Sequence, residues 1–117
     1  MDVVAYALAG LVAALHLYFL VLEMFLWNKP AGRKAFGLDP EFADETKVLA
    51  ANQGLYNGFL VAGLVWGIAG QRDDVLAFFL ACVVVAGVFG AVTVSTRVLF
   101  VQAVPAVLAL GALALAQ

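Results

Sequence analysis

The sequence predicts an all-α, membrane-spanning antiparallel four-helix bundle, and three observations predict it. Hydrophobic residues make up 66% of the 117-residue chain and charged residues only 12%, against about a quarter charged in a soluble domain. The mean hydropathy is +1.07. The apolar residues also gather into four runs, at residues 3–27, 48–69, 75–94 and 98–116. Each approaches the roughly 20 residues that a helix needs to cross a hydrocarbon core. A single transmembrane domain over 1–117 is the organisation expected at this length.

The first run opens behind an acid, Asp2, rather than a basic segment, and it is too long for a signal sequence. It is therefore expected to stay as a span. His16 and Glu23 interrupt it seven residues apart, almost two full helical turns, so they share a face with Ala9, Val12, Leu20 and Trp27. That face is the natural interior seam. At about 1.5 Å rise per residue, Glu23 falls roughly 6–7 Å from a cytoplasmic end near Trp27, with His16 about 10 Å further in.

The connector 28–46 is divided by charge, with Lys29, Arg33 and Lys34 first and Asp39, Glu41, Asp44 and Glu45 after. Asp39, Pro40 and Glu41 read as an N-cap, a proline at the first helical position and a first-turn acid, so a helix is expected to start there. It is either a short interfacial piece or an extension of the second span. Phe36, Leu38 and Phe42 are placed to dip into the headgroup boundary while the cations meet anionic lipid, and a solvated connector with an amphipathic turn is the simpler reading.

The second run carries Asn52, Gln53, Tyr56 and Asn57. Counted from the cytoplasmic side, Asn52 and Gln53 fall about 8–10 Å in, level with Glu23, and Asn57 falls near His16. Small residues recur at Ala50, Gly54, Gly58 and Ala62, with Gly63 and Gly67, and with Ala86 and Gly90 in the third run. Such stripes allow close helix approach. They serve a homodimer as readily as intramolecular packing, and packing is the simpler reading. Cys82, the single cysteine, lies mid-span, excludes an internal disulfide and reads as packing. The fourth run contributes Gln102, with Pro105 one turn on freeing a carbonyl. The short connections 71–74 and 95–96 make consecutive helices antiparallel neighbours.

Five cations (Lys29, Arg33, Lys34, Lys47, Arg97) face one side of this arrangement and Arg72 the other. The positive-inside rule then puts the loop 28–46 in the cytoplasm and both termini outside. A net charge of −2 leaves no footprint for nucleic acid. One histidine and one intramembrane carboxylate fall short of a zinc ligand set, so no metal and no cofactor is expected.

The polar residues of three runs thus converge on the cytoplasmic half of the bilayer. His16 and Glu23 are the candidate catalytic acid–base pair, because each can exchange a proton. Asn52, Gln53, Tyr56, Asn57 and Gln102 are the candidate substrate-binding groups, because amides orient a ligand and stabilise developing charge. Interhelical hydrogen bonds, worth about 1 kcal/mol each, explain the amides as well. Glu23 favours function more strongly, since a buried acid is a costly form of glue.

The same residues carry a resemblance. His16-Leu17-Tyr18, Leu22-Glu23-Met24-Phe25-Leu26-Trp27 and Arg33-Lys34 with Phe36-Gly37 belong to it. So do Thr46-Lys47-Val48-Leu49-Ala50-Ala51-Asn52-Gln53-Gly54-Leu55-Tyr56-Asn57-Gly58-Phe59, Ala86-Gly87-Val88-Phe89-Gly90 and Gln102-Ala103-Val104-Pro105-Ala106. Over nearly its whole length the chain resembles the DUF1304 family of small four-helix integral membrane proteins. The resemblance implies that architecture and carries no activity.

The function expected from the residues is a buried polar pocket that binds a small lipophilic molecule or acts on it by acid–base chemistry. A proton-coupled small-molecule transporter or channel, and a structural membrane subunit without chemistry, are the alternatives.

Overall fold

The computed structural model describes residues 2–93, 97 and 99–117. The fold is all-α. Among the described residues there are α1 (Val3–Phe25), α2 (Pro30–Phe36), α3 (Pro40–Glu45), α4 (Lys47–Ala69) and α5 (Asp73–Thr93). A π-helical turn (Leu99–Ala103) then leads into α6 (Val104–Leu115). Three helices, α1, α4 and α5, are long and apolar enough to cross a membrane, as a membrane protein requires. The fourth expected span is a shorter apolar helical stretch, Phe100–Leu115. The expected turn at Ser95 and Thr96, and the span limits Val94 and Val98, lie outside the described residues.

Leu11, Val65, Phe78, Val85 and Phe89 are exposed along the three long helices. A water-soluble monomer rarely presents such continuous apolar surface, and a lipid-facing helix needs it.

The chain divides into two compact units, one of Met1–Leu15 with Leu60–Gln117 and one of His16–Phe59. The first holds an apolar core. Ala5, Ala9, Val12 and Ala13 of α1 cluster with Leu64 of α4, with Leu76, Leu80 and Val83 of α5, and with Ala106, Ala109 and Leu113 of α6. Burial of Ala9 and Val12 agrees with the seam read from the 3.6-residue period. Small residues bring the backbones together. A methyl on Gly67 would meet Leu76 Cγ at 2.8 Å, and one on Gly87 would meet Ala103 Cβ at 2.7 Å.

The second unit contains the end of α1, both connector helices and the start of α4. Here two expectations need correction. First, α1 stops at Phe25, two residues short of Trp27. The chain turns through Leu26–Lys29, where Lys29 N–H donates to Leu26 O at 3.0 Å, and Pro30 starts the next helix. The Trp27 indole therefore leaves the α1 face, donates to Thr46 Oγ1 at 2.9 Å and packs on Phe36 with ring centroids 5.0 Å apart.

Second, the basic half of the connector is itself a helix, α2. Pro30 holds its first turn, and Gly37 ends it in the left-handed region (φ 66°), which glycine enters without a Cβ clash. Gly32 is buried against the end of α1. A Cβ there would collide with Leu26 O and lie 2.9 Å from Trp27 Cα. The acidic half forms α3 as expected, with Asp39 at the N-cap position, although its carboxylate makes no cap hydrogen bond. Backbone bonds from Thr46 N–H to Phe42 O (3.0 Å) and from Ala50 N–H to Thr46 O (2.9 Å) carry the chain on into α4.

Candidate functional site

Within the second unit, α1 and α4 run antiparallel at close range because glycine lines the contact. A Cβ on Gly54 would collide with Met24 Cγ and lie 3.2 Å from Glu23 Cβ and 3.3 Å from Leu20 O; one on Gly58 would lie 3.1 Å from Leu20 Cδ1. The Gly54-x-x-x-Gly58 stripe is thus filled within the chain. It brings Asn57 against α1, and Asn57 Nδ2 donates to Glu23 Oε1.

This pairing corrects the expected register. Depth counting put Asn57 level with His16 and Gln53 level with Glu23. The glycine contact and the early end of α1 shift α4 by about one turn, so Asn57 takes the position expected of Gln53. Asn52 and Gln53 are exposed, as is Tyr56, whose ring lies 6.0 Å from that of Phe59. They precede or flank Gly54, where α1 is already ending, and so lose its cover.

His16 is fully buried, with Phe19 edge-on at 5.5 Å. Glu23 is half-buried and lies in the last turn of α1, which holds no basic residue. The ion pair found among the described residues is Arg72–Asp74, 2.8 Å. Gln102 is half-buried and sits in the π-helical turn. That turn was not anticipated, although Pro105 is its signal. Proline lacks an N–H for the carbonyl four residues back and crowds it, and a π turn accommodates the defect.

Sequence reasoning also missed a polar group at the other end of α1. Tyr6 Oη donates to Asp73 Oδ1 at 2.8 Å, and Gln117 Nε2 reaches Asp73 Oδ2 at 3.5 Å. Beside it Arg72 makes two bonds to Asp74 and lies 6.0 Å over the Trp66 ring. The neighbouring carboxylate holds the Arg72 guanidinium above its ordinary range. A single tyrosine near a helix start gave no cue to a partner 67 residues away. Among the described residues no group of three or more His, Cys, Asp or Glu could hold a metal ion.

A family model described as a protein of unknown function, DUF1304, matches residues 10–114. The chain belongs to this family. The match spans His16, Glu23, Asn52, Gln53, Tyr56, Asn57 and Gln102, all the polar positions singled out within the apolar runs, together with the Gly54–Gly58 contact. Among relatives of this DUF1304 chain, an uncharacterised protein of Lactococcus lactis subsp. lactis (strain IL1403), YpaA, is 26% identical over 114 residues. That alignment covers 94% of this chain and 96% of the relative. No solved structure matches the chain.

Proposed function

We propose that this DUF1304 protein is a four-span antiparallel bundle of one domain, and that Glu23 and Asn57 form a ligand site for a small lipophilic molecule. The observation that carries the reading is the state of Glu23. Its carboxylate is half-buried in an apolar helix pair, accepts one amide N–H and enters no ion pair among the described residues. A carboxylate so placed is expensive to keep unless it does something.

Chemically, Glu23 takes a proton from a bound molecule or returns one. The Asn57 amide fixes which carboxylate oxygen is engaged. His16, seven residues along α1 and about 10 Å away by helical rise, serves as the second proton-exchanging group at the far end of the ligand. Exposed Asn52, Gln53 and Tyr56 line the approach from the cytoplasmic side.

The test is native mass spectrometry of gently extracted protein offered lipid extracts of its own host. A co-purifying small molecule that disappears in Glu23→Gln and is altered in His16→Ala supports the site. Absence of any bound species, with both variants merely less heat-stable, sinks it and leaves the polar residues as helix-to-helix ties. Cysteine-accessibility labelling in a Cys82→Ser background tests the topology. Labels at both termini should react from outside and labels at Lys34 or Glu41 from the cytoplasm; labelling from one side only would overturn the four-span arrangement.

A further inference from the structure

We infer that the Glu23–Asn57 site selects a cation, a protonated amine carried on an apolar body, over an alcohol or a carboxylate of the same shape. The inference rests on the reading of this pair as a ligand site and names its ligand class.

An ionised carboxylate only accepts hydrogen bonds. Asn57 Nδ2 supplies one donor to Oε1, and among the described residues no other group donates to Glu23. The remaining acceptor capacity therefore calls for a ligand that donates, which a carboxylate ligand cannot do.

Glu23 lies in the last turn of α1, where the unpaired carbonyls of a helix end concentrate partial negative charge. No basic residue occupies that turn, and Glu23 enters no ion pair among the described residues. Of the cations nearest in sequence, Lys29, Lys34 and Lys47 are exposed and Arg33 is half-buried, and none of them pairs with Glu23. Two negative sources thus coincide with no cation paired to Glu23 among the described residues. An alcohol would meet the hydrogen-bond demand and leave the charge uncompensated, whereas an ammonium group meets both.

A further observation fixes the remainder of the ligand. The side chains packed at the helix contact beside Glu23 are those of Leu20 and Met24. These offer dispersion contact and no further donors, so the body of the ligand is apolar.

The experiment uses the full chain in nanodiscs of zwitterionic lipid, with empty discs subtracted, and three shape-matched probes: phenylbutylamine, phenylbutanol and phenylbutyrate. The amine should bind about tenfold or more tightly than the alcohol, in keeping with a charge-assisted hydrogen bond in apolar surroundings, and the carboxylate should not bind. In Glu23→Gln the amine and the alcohol should bind alike. Equal binding of amine and alcohol to the wild type, both lost in Glu23→Gln, overturns the cation inference and leaves the ligand site standing. No binding of any probe, with Glu23→Gln changing thermal stability alone, overturns both. Should Glu23→Gln fail to fold, the amine-to-alcohol ratio of the wild type still decides. Glu23→Asp, which keeps the charge, should then retain the preference.

Discussion

Two carboxylates each tie α1 to another helix, and they stand in opposite electrostatic settings. Asp73 opens α5 and shares its first turn with Asp74, where the helix N-terminus carries partial positive charge. It accepts from Tyr6 and from Gln117, so helix end and partners answer its charge together. Glu23 closes α1, where the dipole opposes it, and accepts one neutral amide. The bonds look alike, and the difference lies in what each carboxylate still lacks. On the proposed reading, a tie is a carboxylate whose needs are met within the fold, and a site is one whose needs are not.

The largest effect should come from separating the helices that make the second setting. Gly54→Val pushes a branched side chain into Met24, Glu23 and the Leu20 carbonyl, and should lower stability by about 3 kcal/mol while abolishing any Glu23-dependent ligand. Gly111→Val, with nothing within 4 Å of its Cβ, should leave thermal unfolding in detergent unchanged.

Next comes removal of the one donor. Asn57→Leu leaves the Glu23 carboxylate without a partner and should cost about 1–3 kcal/mol. Glu23→Leu combined with Asn57→Leu should recover most of that, because the uncompensated charge, not the missing bond, is the expense. A double variant as unstable as the sum of the singles would break the distinction between site and tie.

Tyr6→Phe should destabilise less than Asn57→Leu, since Asp73 keeps its helix end and its other neighbours; an equal or larger loss would reverse the ranking. The smallest effect belongs to Arg72→Gln. The Arg72–Asp74 pair is exposed on both sides, and such pairs contribute little that salt does not screen. Thermal unfolding of this variant should match the wild type at moderate ionic strength.

Composition and periodicity made the helices legible. Four apolar runs with hydrogen-bonding groups at helical spacing have few options in hydrocarbon, because only helices and closed barrels satisfy every backbone N–H and C=O there. The α1 seam followed from the same period, and Ala9, Val12 and His16 are buried as it requires. Start signals worked where they were local, as at Asp39, Pro40 and Glu41. They failed at α2, where a basic segment read as a solvated connector although Pro30 and Gly37 bracket a helix.

What the sequence determined by itself, then, was the all-α class, the apolar runs, the family and the short roster of polar residues from which any site must be drawn. Which of those residues meet was decided by tertiary structure. Asn57 rather than Gln53 reaches Glu23 because Gly54 and Gly58 set the register of α4 on α1, and because α1 ends at Phe25. One turn of slippage moves a side chain about 5.4 Å along the axis, more than a hydrogen bond spans. A partner choice that fine depends on interlocking surfaces far apart in the chain, and no local pattern encodes it.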